Sequence, residues 1–376
     1  MKPLRFAYLS ANDPRDKRIW SGTHHRLYKS LQQLGEVVIL GPYRASLPET
    51  IGKVLNQISL KLLGKRISYR HGLAVSRNMG AHFTKLLAHQ SFDYLIAPAA
   101  SAEIAHVQTK TPIIYITDGT FGGCLNYHEG LSNLTENAIR EGNAVEQLAI
   151  SKSRLVIVSS EWAAQSVIQQ YGKNNNAVKV IPYGANFDKL PAANDIQATV
   201  PTTWQLLFVG VYWENKGGDI AFRAFQHLVD KGYPVHLTVL GCVPPEHVRH
   251  PQMTVIRFID KNDDEGQKRM ADIYLRSHFL LLPTRFDCSP IVINEASAFG
   301  IPSLVADTGG VAGHLSEGQN GFLIPYEDTG EGYAKKIMPY LNQPERYLAM
   351  RQSTRRCYEE KLNWQHWLQA FKQALP

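Results

Sequence analysis

Short apolar runs alternate with amphipathic helical stretches from one end of this chain to the other. That alternation limits its fold more than any other feature. Runs at 4–9, 37–40, 94–97, 113–117 and 155–159 read as buried strands, and a second series follows at 206–211, 235–241, 254–259, 279–283, 303–306 and 322–325. Between most of them apolar residues recur at helical spacing, as at Leu27, Leu31 and Leu34 in a helix that opens at Gly22 and is expected to end at Gly35. Strands apolar throughout, separated by helices, imply parallel sheets covered on both faces. The break between the series falls at 182–200, a stretch rich in Pro, Gly, Asn and Asp that reads as a linker. A chain of 376 residues, 44% hydrophobic and 19% charged, is long enough for two such domains with sizeable cores. The expected division is 1–185, 186–361 and a terminal helix at 362–376. That helix carries Trp364, Trp367, Leu368 and Phe371 on one face and is expected to return towards the N-terminal domain. In doubly wound sheets ligands lie beyond the carboxyl ends of the strands, so a cleft between two facing sheets is the expected site.

Four cysteines, Cys124, Cys242, Cys288 and Cys357, are widely separated and form no CxxC or Cys/His cluster. This argues against a disulfide framework and structural zinc, and for a reducing compartment. The basic start, Met1-Lys2, is followed by an apolar run that stops at Ser10, too short for a secretory leader. No stretch approaches the roughly 18 apolar residues of a membrane span. A cytoplasmic protein is expected. The net charge of +7 suits anionic partners: nucleotide phosphates, nucleic acid or an acidic membrane surface. Nucleic acid ranks last, because interleaved aromatic and basic motifs are missing. Residues 51–70 mix Ile51, Val54, Leu55, Ile58, Leu60, Leu62 and Leu63 with Lys53, Lys61, Lys65, Arg66 and Arg70. The usual outcome for such a stretch is a helix packed on its own domain; the alternative is peripheral contact with the inner face of an anionic membrane.

Two segments carry chemistry. In FVGVYWENKGGD (208–219) an apolar strand ends at Gly210, and Lys216-Gly217-Gly218 precede a helix. Helix N-termini favour anions, glycine permits close backbone approach, and lysine adds a mobile positive charge. The bland alternative is an ordinary Gly-rich turn. In PTRFDCSPIVINEASAFGIP (283–302) a loop holding Asp287 leads to a helix starting near Pro290, with Glu295 in an apolar setting. A glutamate there needs a partner, whereas most glutamates simply lie on a surface. Amides at Cys288, Ser289 and Ile291 would face whatever sits at that helix start. Asp287 and Glu295 also raise the possibility of a two-carboxylate hydrolase, but a plain hydrolase needs no anion site beside them.

The spacing Asp287-x7-Glu295, then Ala296-x-Ala298-x-Gly300-Ile301-Pro302 and Asp307-x-Gly309-Gly310, resembles the E-x7-E region of family 4 glycosyltransferases. Residues 181–186, 208–218 and 318–323 resemble the family's hinge, phosphate segment and following strand, so the likeness runs in order through nearly all of 180–325. In the N-terminal half, Trp20-Ser21-Gly22-Thr23 resembles the first Gly-rich turn. The resemblance implies an α/β chain of two Rossmann-like doubly wound domains facing a cleft (GT-B). It also implies retaining, metal-independent transfer of a hexose from a nucleotide sugar, without a cofactor. A UDP-sugar is favoured and a GDP-sugar is the alternative; the acceptor would be a hydroxyl of a glycan, lipid or small molecule. It further implies that Glu295 holds ribose hydroxyls, Asp287 the donor sugar and Lys216 the diphosphate, with Gly210 and Gly217 shaping the phosphate turn. Cys288, Ser289, Ile291 and Val292 would contact phosphate and sugar, Arg257 and Phe258 the base, and Gly22 and Thr23 the phosphates from the other side. Asp118 falls near the position of a neutral histidine in many relatives, where it would orient the sugar or handle a proton. The sequence departs from the pattern at Asp287, where the family has glutamate, at Val211, where it has arginine, and at Asp118. Arg285 and Arg257 are the candidate replacements for that arginine. These departures motivate a rival reading, a catalytically weak GT-B protein that binds a sugar nucleotide or a partner.

Overall fold

A computed structural model describes residues 3–44, 46–196 and 199–376. Met1 and Lys2, and residues 197 and 198 of the expected linker, lie outside the described residues. The chain forms two compact units, one running to Ile181 and regaining Leu368–Pro376, the other spanning Pro182–Trp367.

The first unit holds six parallel strands, β1 (Leu4–Tyr8), β2 (Gly35–Ile39), β3 (Tyr94–Pro98), β4 (Ile113–Thr117), β5 (Leu155–Val158) and β6 (Val178–Val180), in the order β2-β1-β3-β4-β5-β6. Alternate strand residues feed opposite faces. Ala7, Leu95, Tyr115 and Val156 join one buried cluster, while Phe6, on the other face, meets the ring of Phe371 at 6.4 Å. Side-chain caps fix several helix starts: Thr135 Oγ1 accepts from Ala138 N, and Ser160 Oγ from Ala163 N.

The second unit holds β7 (Trp204–Val209), β8 (Val235–Leu240), β9 (Met253–Ile256), β10 (Phe279–Leu282), β11 (Ser303–Ala306) and β12 (Gly321–Ile324), ordered β12-β11-β10-β7-β8-β9. Read from β9, this is the 3-2-1-4-5-6 order of a dinucleotide-binding sheet, with its topological switch between β7 and β10. Phe279 and Leu281 enter one apolar cluster, Leu280 and Leu282 the other, so helices cover both faces.

Four expectations are corrected. β6 was not anticipated, because exposed Lys179 interrupts its three residues. Gly35 does not end a helix: the helix Thr23–Leu31 stops earlier and Gly35 opens β2, where a Cβ would lie 1.9 Å from Leu4 O. The start of the expected linker is packed structure, with Tyr183, Ala185 and Phe187 buried in the second unit. Finally, the helix Leu47–Leu63 does not bury its apolar side chains against its own unit; Ile51, Val54, Leu55, Ile58 and Leu62 are exposed.

Candidate active site

The segment after β7 turns tightly before the helix Gly218–Asp230. Lys216 N donates to Tyr212 O, Gly217 N to Glu214 O and Gly218 N to Trp213 O, at 3.1, 3.0 and 2.8 Å. Trp213 is folded beneath the turn; its ring packs on Phe208, and its Nε1 donates to Asp219 Oδ1 at 2.8 Å. Gly217 has φ +71°, and a Cβ on it would lie 2.0 Å from Pro283 O. Both facts demand glycine. The amides of Gly217 and Gly218 are therefore spoken for by turn carbonyls. What the turn offers an anion is the Lys216 ammonium and the positive end of the helix.

The loop after β10 is stitched to this turn. Asn215 O accepts from Arg285 N at 2.9 Å and from Thr284 Oγ1 at 3.2 Å. The stitching brings Lys216 Nζ to 2.5 Å from Asp287 Oδ2. The pair thus bridges the loops that follow β7 and β10, at the switch point. Asp287 Oδ1 also accepts from Ser289 N at 3.3 Å. Pro290 caps the helix Ile291–Ala298 rather than opening it. The amides of Ile291 and Val292, in its first turn, have no partner inside the helix.

Glu295 is 2% exposed. Its Oε1 accepts from Lys261 Nζ at 3.2 Å and its Oε2 from Tyr274 OH at 3.0 Å. Tyr274 is pushed far above its ordinary range, first by burial and then by the Glu295 charge, so it stays a neutral donor. Neither Lys261 nor Tyr274 was anticipated. Lys261 lies just before Asp263, whose side chain caps the helix Asp264–Arg276 by accepting from Gly266 N. Tyr274 lies near the end of the same helix, where its spacing in the sequence carries no signal of a partner on another element.

A second buried chain was also missed. Ser289 Oγ lies 2.7 Å from His314 Nε2, His314 Nδ1 lies 3.1 Å from Asn294 Oδ1, and Asn294 Nδ2 donates to Tyr183 O at 2.8 Å. Burial lowers His314 to about 4, so the imidazole is neutral. With Asn294 Nδ2 committed to a carbonyl, its Oδ1 accepts from His314 Nδ1–H. The Ser289 hydroxyl then donates to Nε2 and keeps its lone pairs for other donors. Cys288, beside it, is buried.

Arg257 and Phe258, exposed beyond β9, line a recess of about 490 Å³ with Gly241, Cys242, Tyr212 and Val211. Arg285 lies elsewhere: its guanidinium covers the Tyr326 ring at 4.0 Å, and Nη1 donates to Tyr326 O at 2.7 Å. Of the two candidate replacements for the absent arginine, only Arg257 borders the recess that Val211 shares. A Cβ on Gly210 would lie 2.7 Å from Lys216 Cγ, so that glycine lets the lysine stem lie flat. In the first unit, Trp20, Ser21 and Gly22 have φ of 50°, 55° and 94°, three successive left-handed residues before Thr23 starts its helix. Trp20 Nε1 donates to Asp118 Oδ2 at 2.9 Å, which links the β4 end to that turn.

A turn suited to an anion at the switch point, with a carboxylate-bearing helix beside it, places the second unit among doubly wound sheets that bind ligands beyond the carboxyl ends of their strands. Residues 203–343 match the model of the family Glycosyl transferases group 1. Among curated proteins the chain is similar to D-inositol 3-phosphate glycosyltransferase of Gordonia bronchialis, 24% identical over 60% of this chain and 52% of that protein. The chain thus spans about half the length of the curated relatives it matches. Among solved structures it is similar to sucrose-phosphate synthase from Thermosynechococcus elongatus, with TM-score 0.67 and 15% identity over 98% of this chain and 97% of that one. It is also similar to Anabaena HepE in complex with UDP and glucose, with TM-score 0.64 and 16% identity over 98% of both. The fold is that of GT-B glycosyltransferases.

Proposed function

We propose that this chain is a retaining glycosyltransferase that moves a hexose from a nucleoside-diphosphate sugar to a hydroxyl of a glycan, lipid or small-molecule acceptor. The observation that carries the reading is the Lys216–Asp287 pair astride the β7/β10 switch point. An entering diphosphate competes with Asp287 for the ammonium. As the sugar–phosphate bond breaks, negative charge grows on the leaving oxygen, and Lys216 with the helix dipole stabilises it. Asp287, released from the lysine, accepts hydrogen bonds from donor-sugar hydroxyls. Glu295 holds the ribose, with Lys261 and Tyr274 fixing its carboxylate. The recess at Arg257 and Phe258 takes the base. A cation built into the chain removes the need for a metal, so turnover is expected to persist in EDTA. The complex of the HepE neighbour favours UDP over GDP as the donor base.

The test is a panel of UDP-, GDP- and ADP-sugars read by thermal shift and by release of free nucleotide. A UDP-sugar should raise the melting temperature and be slowly hydrolysed. The rival reading, a sugar-nucleotide-binding protein without turnover, draws on Val211, which leaves the recess one cation short. Tight binding without hydrolysis or transfer, even with cell-extract acceptors, would favour that rival.

A further inference from the structure

The helix Leu47–Leu63 presents its polar side to its own unit and its apolar side outwards. It is well formed, with proline in its first turn and Gly64 at φ +63° closing it. The inward residues are Glu49, Gly52, Asn56 and Ser59. Glu49, 3% exposed, pairs with Lys53 at 3.4 Å and Arg70 at 3.7 Å. Asn56 Oδ1 accepts from Ile67 N at 2.7 Å, Ser59 Oγ donates to Lys65 O at 2.7 Å, and Gly52 lies against Tyr69. The outward face carries Leu47, Ile51, Val54, Leu55, Ile58 and Leu62, spaced i, i+4, i+7, i+8, i+11 and i+15. Their exposure runs from 46% at Ile58 to 78% at Leu62. Six aliphatic residues on one stripe form a contiguous patch that scattered surface leucines do not.

The charge along this stretch is predominantly positive, with Arg66 paired to the exposed Glu129 at 3.6 Å. From 47 to 70 there are five basic residues and a single acid, Glu49, which is buried. Lys61 borders the stripe and Lys65 follows the helix; neither has an acidic partner among the described residues. We infer that this face lies in the plane of an anionic lipid bilayer, with the aliphatic side chains at the acyl boundary and the lysine amines at the phosphates. A second copy of the chain suits the face less well. Two-fold pairing would set the same lysines against each other, whereas lipid phosphates neutralise them. No described helix is long and apolar enough to cross a membrane, so the contact is one of lying on the surface. If the glycosyltransferase reading holds, the acceptor is to be sought among molecules carried at that surface.

The experiment is flotation of the purified full chain with vesicles of equal parts phosphatidylglycerol and phosphatidylcholine, beside vesicles of phosphatidylcholine alone. It needs no turnover, so failure of the enzymatic reading leaves it standing. Flotation with the anionic vesicles only is expected. An Ile51→Glu/Ile58→Glu variant should partition at least about tenfold more weakly, since it loses two large apolar contacts. Its melting temperature should be unchanged, because both side chains are exposed. Trp emission from an Ile58→Trp variant should shift to the blue on anionic vesicles. Absence of flotation, equal flotation on neutral vesicles, or a wild-type dimer that Ile58→Glu dissolves would overturn the inference.

Discussion

Lys216 meets Asp287 at a distance where a diphosphate arriving beside it must divide the ammonium's hydrogen bonds with the carboxylate. That competition predicts how variants behave. Lys216→Ala should lower kcat by about 10²–10³, the cost typical of removing one group that stabilises developing charge, and should change KM less. Steady-state nucleotide release measures this; wild-type kcat in the variant would remove Lys216 from the reaction. Glu295→Gln keeps the shape and an acceptor for Tyr274 but removes the charge facing Lys261. Donor affinity should fall by about 10- to 100-fold, the range of one charge-assisted hydrogen bond, with the fold intact by circular dichroism. Titration calorimetry with the donor nucleotide decides it; unchanged affinity would place the ribose elsewhere. Glu295 was legible in the sequence because a carboxylate in an apolar setting demands a partner, and Asp287 because of its place in the loop, with seven residues between the two. Their partners were not. Lys216 is 71 residues from Asp287, and Lys261 and Tyr274 are 34 and 21 from Glu295, so only the tertiary packing of loops and helices brings them together.

The elements were legible where burial dictated them and obscure where it did not. β10 and β11 are apolar and buried on both faces, and a parallel strand of that kind has few other readings. β6, with a lysine in the middle of three residues, gives no such signal. The helix Leu47–Leu63 shows a different limit: periodicity reveals that a helix has an apolar side, not which side faces the protein. The turn between β7 and its helix supplies an element-scale prediction. Gly217→Ala places a methyl against Pro283 O in a left-handed backbone, and the two loops must part to admit it. The expected loss is about 2 kcal/mol or more in chemical denaturation, the range of strained-backbone and overpacking changes. Donor binding should weaken with it, because the same shift moves Lys216 off Asp287. A variant as stable as the wild type would mean that the turn is not held as described.

At the scale of the whole chain, the two units should answer acid differently. Burial lowers His24 and His71 in the first unit, and His278 and His314 in the second, from 6.5 to about 4; in the second pair, Arg351 adds to the shift at His278. Between these values the unfolded chain binds a proton that the folded chain refuses. Each histidine therefore costs stability as pH falls from about 6.5 towards 4, at up to about 1.4 kcal/mol per pH unit when fully mismatched. The first unit also buries Glu103 and Glu146, both raised by desolvation from 4.5 to about 7. These work in the opposite sense. Between about pH 4.5 and 7 the folded carboxyl keeps its proton while the unfolded one has lost it, so stability rises as pH falls. The two effects offset one another in the first unit, whereas among the described residues of the second no carboxyl raised by burial opposes the histidines. Amide hydrogen exchange at about pH 5 and pH 7, corrected for intrinsic rates, should show β7 and β10 losing protection on acidification while β4 and β5 hold theirs. Glu146→Gln sharpens the test: Gln still accepts from Tyr115 OH but has no proton to lose. First-unit protection should rise in the variant near pH 7 and match the wild type near pH 5. Equal acid loss in both units of the wild type would show that burial of these carboxyls does not set the balance. The sheets would then share one cooperative transition rather than two separately tuned ones.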